Sequence, residues 1–473
     1  MGKLDTAAFE SNVLDAVRRE NMIKEGDNLI VALSGGADSM ALLYFLVWQR
    51  EQLGIGELTA VHINHCLRGA ESQRDESFVI NQCRRLGVPL KVYSVDVQKE
   101  AADSGEGLEE AGRRVRYEYL SMQAAKLCAS VATAHTKSDN VETLLLNITR
   151  GSGLHGLCGI PAIRNIEYGG ASISVIRPLL YCTRAQVESY CRDKSIEYIH
   201  DSSNDDIYFA RNRIRLNVVP ELKKINADVE TAASRLMGII RADSQYLDSI
   251  AKKALHESEM RDEYGGYDAL ALDRLPLPLR TRALKLAVGL VDQKAALGLS
   301  QRHVSLMQGL LKSGGALALF GGLEARVTQG RFLLWNRHQD DILTDEAEIE
   351  LKIGISCTFY GRIYRPALLS LDVFEKQQKI HKNLLKYSLN YDKISGQLIL
   401  RGRRPGDAYR PAGRNVKKTL KKLFNEHKIP AVMRDTVPVI CDEHGIVLVC
   451  GIGCDERVLI DASCRRVMVL ESV

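Results

Sequence analysis

A short glycine-containing segment near the N-terminus constrains this chain more than any other feature. The segment Ser34-Gly35-Gly36-Ala37-Asp38-Ser39 follows an apolar run, Asn28–Leu33, and precedes residues of helical composition. Paired glycines let backbone N–H groups approach an anion closely, and the positive end of the next helix points at the same place. A glycine turn with Ser and Asp helix caps would give the same letters. The strand–loop–helix context favours a phosphate-binding loop.

The residues within this loop indicate which kind of phosphate site it forms. No Gly-Lys-Ser/Thr is present, so the loop lacks the lysine that reaches the β and γ phosphates in kinases and ATPases. Asp38 would repel a phosphate unless a cation intervened, which predicts Mg²⁺ bound by Asp38. The pattern resembles the PP-loop of N-type ATP pyrophosphatases, which cleave ATP between the α and β phosphates. This resemblance implies an ATP site formed by Ser34, Gly35, Gly36, Ala37, Asp38 and Ser39.

Strand and helix patterns alternate up to about residue 215. Apolar runs such as Leu58–Ile63 and Leu90–Val95 alternate with helical segments such as Glu109–Lys126, which favours a parallel sheet covered on both faces. Helical periodicity dominates from about residue 218, and strand-like segments return after about residue 316. We predict three domains: a doubly wound, Rossmann-like α/β PP-loop domain at 1–217, a mainly helical domain at 218–335 and a small α+β domain at 336–473.

Polar residues stand where the predicted strands end, at the edge where open α/β sheets bind ligands. His62 stands at the end of the second strand, and His135, Asp139 and Glu142 follow the fourth. Asp139 and Glu142 have the spacing of a capping box, so either residue could be purely structural. The functional alternative is that Glu142 projects toward the crevice and binds a cationic substrate group.

Three arginines fall within one turn of the predicted helix Glu109–Lys126. Arg113 and Arg116 are three residues apart and share a face, so they could clamp a phosphate. A basic, solvated face supported by Glu109 and Glu110 is the alternative.

Positive charge is concentrated near the C-terminus. The net charge is only +5, but Arg401–Lys428 contains ten Lys or Arg residues against two acidic ones. Such a patch suits a polyanion, although a solvated charged face remains the alternative.

The motifs, taken in order, resemble those of the tRNA(Ile)-lysidine synthase family. The matching segments are Ser34–Ser39, His62–Arg68, Arg113–Tyr117, His135–Thr143, Arg150–Leu157, Arg177–Leu180, Asp201–Arg215, Arg401–Asp407, Lys417–Phe424, Lys428–Pro430 and Arg434–Pro438. The sequence departs from the family pattern at Gly112, Thr136, Ser138 and Asn140, where many relatives have Ala, His, Asp and Gln.

This resemblance implies an ATP-dependent carbon–nitrogen ligase. The enzyme would adenylate C2 of the wobble cytidine in a tRNA(Ile) with a CAU anticodon, and the ε-amine of free L-lysine would displace AMP to form lysidine. The resemblance implies catalytic roles for Asp38, Arg113, His135, Asp139 and Glu142, with His62 at the ATP and Asp139 and Glu142 at the lysine. It implies tRNA contacts by Arg211, Arg213, Arg403, Arg404, Lys417, Lys418, Lys421 and Lys422, and it leaves a homodimer open.

Two other functions compete with this interpretation. A PP-loop tRNA thiolase would need a reactive cysteine or an iron–sulfur cluster, yet the eleven cysteines include no Cys-x-x-Cys pair. A nonenzymatic nucleotide- or RNA-binding protein would not need polar residues at successive strand ends. No N-terminal segment resembles a signal peptide, and the apolar stretch Met40–Trp48 is too short to span a bilayer, so we predict a cytoplasmic enzyme.

Overall fold

A computed structural model describes residues 6–67, 69–200, 210–260, 265–336, 348–360, 362–380, 384–413, 416–427, 429 and 433–472. Parts of the family resemblance, namely Arg68, residues 201–209, Lys428 and Pro430, lie outside the described residues. The chain divides into two compact units, Met1–Gln245 and Tyr246–Val473. The domain boundaries at 217/218 and 335/336 stay predictions.

The first unit is built on a six-stranded sheet with the strand order β3-β2-β1-β4-β6-β5. The strands are β1 Asn28–Ala32, β2 Leu58–Asn64, β3 Leu90–Ser94, β4 Ala129–Ala132, β5 Ile163–Tyr168 and β6 Ala171–Ile176. The helices are α1 Thr6–Arg19, α2 Ala37–Trp48, α3 Ala70–Leu86, α4 Val97–Ser104, α5 Leu108–Leu127, α6 Lys137–Thr149, α7 Leu154–Leu157, α8 Arg184–Asp193, α9 Ala210–Arg213, α10 Val219–Ile225 and α11 Val229–Glu257.

Hydrophobic cores on the two faces of this sheet hold the helices that surround the loop Ser34–Ser39. Helix α2 is buried without a break from Ser39 to Leu46, because it lies between the sheet and α8 in the larger core. Helix α5 packs through Leu120 and Ala124 against Ile30 and Val61 in the other core. The predicted parallel sheet covered on both faces is therefore confirmed, with β5 added as an antiparallel edge strand.

The strand order reverses direction between β1 and β4. From β1 the chain proceeds outward to β2 and β3, and β4 then pairs with the opposite side of β1. Ligands of open α/β sheets bind at the carboxyl ends of the strands at such a switch point. The loop Ser34–Ser39 follows β1, and His135 follows β4, so both segments border the predicted crevice.

The second unit combines helices with small antiparallel sheets. Its helices are α12 Ala269–Arg274, α13 Leu277–Val291, α14 Gln293–Leu297, α15 Gln301–Ser313, α16 Leu371–Ile380 and α17 Leu420–Glu426. One sheet has the order β7 Tyr267–Asp268, β10 Arg331–Asn336, β9 Leu323–Thr328 and β8 Gly315–Ala318. It shares a core with α12–α15, which confirms the predicted helical middle region.

The remaining strands of the second unit form the C-terminal α+β part. One sheet has the order β11 Ile349–Glu350, β15 Ile399–Arg401, β18 Val439–Asp442, β19 Gly445–Val449 and β20 Gly453–Cys454. Another has the order β12 Cys357–Phe359, β13 Arg362–Ser370, β21 Arg466–Ser472 and β14 Ser388–Asn390, and a small pair joins β16 Ala408–Tyr409 to β17 Lys418–Thr419. Within the described residues, no helix combines the length and apolar character that crossing a bilayer requires.

Candidate active site

The loop between β1 and α2 has the backbone of an anion-binding site. Gly35 adopts φ +90°, a conformation that favours glycine. The backbone N–H groups of Ser34 and Gly35 both donate to the Ser39 hydroxyl at 3.2 Å, which closes the loop against the first turn of α2. Gly36 is the N-cap of α2 and has no side chain that could cap the helix. The first backbone N–H groups of α2 and the positive end of the helix dipole therefore face the loop.

Asp38 lies in this first turn and carries a carboxylate that is only partly neutralised. Arg184 donates to Oδ2 at 3.3 Å, whereas Oδ1 is buried and has no hydrogen-bond partner among the described residues. Burial raises the pKa of Asp38 to about 6, with Arg184 opposing that shift. An orphaned oxygen beside a phosphate nest fits a divalent cation, because Mg²⁺ is usually held by one or two carboxylates together with substrate phosphates.

No protein-only metal site competes with this arrangement in the part of the chain that the structure describes. There, no group of three or more His, Cys, Asp or Glu side chains is arranged to hold a metal ion. Mg²⁺ at Asp38 would accordingly depend on ATP for further oxygen ligands.

Two histidines stand at the carboxyl end of β2, His62 within the strand and His65 just after it. His62 is buried, and its Nδ1 donates to the carbonyl oxygen of Leu33 at 2.8 Å, which leaves Nε2 as an acceptor when the ring is neutral. Nδ1 of His65 is buried and has no hydrogen-bond partner within the part of the chain that the structure describes. Burial, Arg116 and His62 lower the pKa of His65 to about 4.

The three arginines of α5 have different surroundings. Arg114 is held by ion pairs with Glu100, Glu106 and Glu118. Among the described residues, no carboxylate lies within ion-pair distance of Arg113 or Arg116, and the Arg113 guanidinium lies 5.5 Å from the centre of the Tyr117 ring. Arg113 and Arg116 are therefore free to meet an anion, whereas Arg114 stabilises the helix.

His135 follows β4 and is neutral at physiological pH. The Thr133 hydroxyl lies 3.0 Å from its Nδ1. Burial lowers the pKa of His135 to about 4, and the charges of Arg177, Arg211 and Arg113 add to that effect against the opposing charge of Asp139. A neutral imidazole in this place can accept a proton.

Asp139 and Glu142 join two arginines in one cluster. Arg211 Nε donates to Glu142 Oε2 at 2.8 Å, and Arg215 Nε donates to Oε1 at 2.6 Å. Arg211 and Arg215 also lie 3.3 and 3.5 Å from Asp139 Oδ1. Burial would raise the pKa of Asp139, but Arg211, Thr136 and His135 outweigh it, so the pKa lies below its usual range.

The helix cap at this point differs from the spacing noted in the sequence. The capping box of α6 joins Thr136 to Asp139, and α6 starts at Lys137 rather than at Asp139. Thr136 supplies the hydroxyl, because a Ser or Thr at the N-cap bonds to the N3 backbone while the N3 side chain reaches back. The suggested box between Asp139 and Glu142 is therefore wrong, and Glu142 lies one turn further along the helix.

Three departures from the family pattern have structural partners. Thr136 is the N-cap just described. The Ser138 hydroxyl donates to Glu230 at 2.7 Å and accepts from the Arg184 backbone N–H at 3.1 Å. Asn140 Oδ1 accepts from the Ile160 backbone N–H at 2.6 Å. These side chains hold α6 to its neighbours.

Three arginines of the site, Arg177, Arg184 and Arg215, were not assigned a role from the sequence. Arg184 reaches Asp38 from the first turn of α8, 146 positions away. Arg177 is almost fully buried, and it donates from Nη1 to the Pro161 carbonyl at 2.7 Å. The sequence signal for Arg177 was its place in the Arg177–Leu180 motif, whereas nothing in the sequence distinguished Arg184 from other arginines.

The basic residues assigned to tRNA fall into two groups. Arg403, Arg404 and Lys418 are paired with Asp435, Glu348 and Glu426, and Arg211 is paired with Asp139 and Glu142 in the cluster described above. Lys417, Lys421, Lys422 and Arg213 are exposed, and no ion pair to a described carboxylate involves them. Lys417, Lys421 and Lys422 accordingly carry unpaired positive charge in the described part of the C-terminal segment.

The fold and the loop define a PP-loop ATP-binding protein. A PP-loop domain family model matches residues 6–222, and a TilS substrate C-terminal domain model matches residues 398–470. The chain is 31% identical to the tRNA(Ile)-lysidine synthase of Dehalococcoides mccartyi, over 96% of this chain and 97% of that one. The synthase of Clostridium tetani is 29% identical over 97% of both chains.

The chain belongs to the tRNA(Ile)-lysidine synthase family and is an ATP-dependent ligase of the PP-loop class. Among solved structures, it is similar to the U34-tRNA thiolase NcsA from Methanococcus maripaludis with its [4Fe-4S] cluster. That similarity has 16% identity and a TM-score of 0.42, and it covers 50% of this chain and 80% of the thiolase.

Proposed function

We propose that the chain converts the wobble cytidine of a CAU-anticodon tRNA(Ile) into lysidine, with ATP and free lysine as the other substrates. The observation that carries the proposal is the full-length match to tRNA(Ile)-lysidine synthases, which includes the C-terminal substrate domain as well as the PP-loop domain. Adenylation first turns the cytidine O2 into a leaving group, and the lysine ε-amine then replaces AMP at C2.

The ATP half of the reaction is assigned to the β1–α2 loop. The backbone N–H groups of Ser34–Ser39 and the start of α2 bind the phosphates, and His62 lies beside them. Asp38 would hold Mg²⁺, which would neutralise charge on the polyphosphate. Arg113, which meets no described carboxylate, stabilises charge that develops during adenylation.

The lysine half is assigned to the cluster at the end of β4. Asp139 and Glu142 supply negative charge for the lysine ammonium and are the candidate bases for its proton, with His135 beside them. Both carboxylate oxygens of Glu142 are already used by Arg211 and Arg215. Lysine can consequently bind Glu142 only if Arg211 or Arg215 moves away from the carboxylate or shares it with the lysine ammonium.

The tRNA surface is assigned to the exposed lysines of the C-terminal segment. Phosphate contacts release counterions, so affinity falls with salt by a log–log slope of roughly −0.7 to −0.9 per contact. Replacement of Lys417, Lys421 and Lys422 together by Ala should weaken tRNA binding and make the slope shallower by roughly 2 to 3. Filter binding at several salt concentrations measures both quantities.

The control for this triple variant removes three exposed lysines elsewhere, Lys312, Lys376 and Lys379. The control variant should keep the wild-type salt dependence of tRNA affinity. Losing positive charge away from the tRNA changes this slope less than losing lysines that contact phosphates. Equal slopes for wild type and the Lys417/Lys421/Lys422 variant would contradict the assignment. Lys418 should contribute less than its neighbours, since Glu426 already pairs with it.

The thiolase alternative needs a reactive thiolate, and burial disfavours a thiolate at several of the cysteines. Burial raises the pKa of Cys83 and Cys454 to about 11 and of Cys182 and Cys191 to about 12. Cys66 and Cys128 are exposed. We expect the Cys66→Ser/Cys128→Ser variant to keep wild-type turnover, measured as lysine incorporation into tRNA. A loss of turnover with an unchanged melting temperature would support sulfur chemistry.

ATP–pyrophosphate exchange separates the enzymatic proposal from simple nucleotide or RNA binding. We expect exchange that requires tRNA, since the proposed adenylated group belongs to the tRNA. Exchange that depends on lysine without tRNA, or no exchange at all, would contradict the proposed order of steps. We also propose a cytoplasmic location, because ATP, lysine and tRNA are all present there.

A further inference from the structure

Arg184 supplies a positive charge that the loop sequence itself lacks. The loop Ser34–Ser39 contains no lysine, yet its function requires compensation of four phosphate charges. In the structure, the Arg184 guanidinium lies 3.3 Å from Asp38 Oδ2, in the first turn of the helix that receives the phosphates. A cation therefore stands beside the phosphate nest, supplied by a distant part of the chain.

The position of Arg184 is fixed by the surrounding helices. Arg184 is the first residue of α8, which begins with a capping box between Thr183 and Gln186. Its backbone N–H donates to the Ser138 hydroxyl at 3.1 Å, which ties it to the start of α6. Helix α8 packs directly against α2, so Arg184 is held against the helix that carries Asp38.

The guanidinium of Arg184 keeps donors available beyond its contact with Asp38. The Arg184 side chain is 31% exposed, and only Nη2 contacts the carboxylate. The other N–H groups of Arg184 make no ion pair with a described carboxylate. A planar guanidinium with free donors is well suited to phosphate oxygens, which it can bind in pairs.

We propose that Arg184 binds the β and γ phosphates of ATP and the pyrophosphate that leaves. This inference rests on the proposed function. In the adenylation step, the cytidine O2 forms a bond to the α-phosphorus while the bond from that phosphorus to the bridging oxygen breaks. The electron pair remains on the pyrophosphate, whose growing negative charge Arg184 stabilises. Arg184 thus takes the part that a loop lysine plays in other phosphate loops.

The test compares Arg184→Ala and Arg184→Lys with Arg192→Ala in the full-length chain. Arg192 lies in the last turn of the same helix and is exposed, so it controls for charge and for the helix. Calorimetry measures the Kd of inorganic pyrophosphate with Mg²⁺ and the Kd of AMP. We expect Arg184→Ala to raise the pyrophosphate Kd by about 10- to 100-fold, in line with a lost charge-assisted hydrogen bond.

AMP binding decides between a phosphate contact and a structural role. AMP lacks the β and γ phosphates, so its Kd should stay within about twofold of wild type in every variant, and Arg184→Lys should recover part of the pyrophosphate affinity. An unchanged pyrophosphate Kd in Arg184→Ala would overturn the inference, as would equal weakening of AMP and pyrophosphate. Pyrophosphate binding needs neither tRNA nor lysine, so the inference can fail while tRNA-dependent exchange in the wild type stands.

Discussion

Replacement of Asp38 by Asn or Ala should abolish adenylation while leaving the fold intact. Asp38 is the carboxylate inside the loop, and its buried Oδ1 has no hydrogen-bond partner among the described residues, which is why we propose it as a ligand of Mg²⁺. Loss of a bound metal removes several kcal/mol of transition-state stabilisation, so the rate of pyrophosphate release should fall by about 10³-fold or more. Asp103→Asn, at an exposed position of α4, is the matched control and should keep the wild-type rate.

Stability should change in the opposite direction from activity in the Asp38 variants. The folded-state pKa of about 6 lies above the unfolded value, so protonation favours the folded state. That contribution is complete below about pH 4 and is lost as the pH rises through 6. At pH 7 and without ATP, Asp38→Asn should therefore be about 2–3 kcal/mol more stable than wild type, with the difference vanishing near pH 4. Near-wild-type pyrophosphate release by this variant would refute the metal role.

The second large effect is expected at Glu142. Glu142→Gln removes the carboxylate that makes the shorter ion pairs with Arg211 and Arg215 and leaves them Asp139, and the side chain of Glu142 is only 2% exposed. Breaking a buried pair in this way should cost about 3 kcal/mol of unfolding free energy. If Glu142 also contacts the lysine ammonium, the KM for lysine should rise by about 10- to 100-fold while tRNA adenylation is retained.

Two further variants separate the lysine contact from the structural role of Glu142. Glu118→Gln breaks an exposed pair with Arg114 and should cost no more than about 0.5 kcal/mol, with unchanged lysine kinetics. Glu142→Asp keeps the charge and should recover part of the lysine affinity. A stability loss in Glu142→Gln with an unchanged lysine KM would remove Glu142 from the lysine site and leave it as the anchor of the two arginines.

The sheet and the loop were predictable from the sequence because their signals are local. Buried strands read as apolar runs, and the glycines of the loop stand directly between β1 and α2. The positions of His62 and His135 followed from one further rule, that the carboxyl ends of parallel strands share an edge. Family motifs in the same order then connected these local signals to one reaction.

Partners that are distant in sequence were not predictable. Arg184 meets Asp38, and Arg211 and Arg215 meet Glu142, only because the folded chain brings α8 and the residues from Ala210 onward to the sheet edge. The count of basic residues in Arg401–Lys428 likewise omitted Glu348 and Asp435, which neutralise two of them. Pairing of charges depends on tertiary contacts, whereas a count along the chain registers only composition.

The most direct test of the central claim is mass analysis of tRNA nucleosides after reaction. The purified full-length chain is incubated with ATP, Mg²⁺, isotopically labelled lysine and CAU-anticodon tRNA(Ile), and the tRNA is then digested. We predict one new nucleoside whose mass equals cytidine plus lysine minus water, which carries the label and is absent without ATP. The account would be contradicted if no labelled nucleoside were found, or if a nucleoside gained the mass that corresponds to sulfur in place of oxygen.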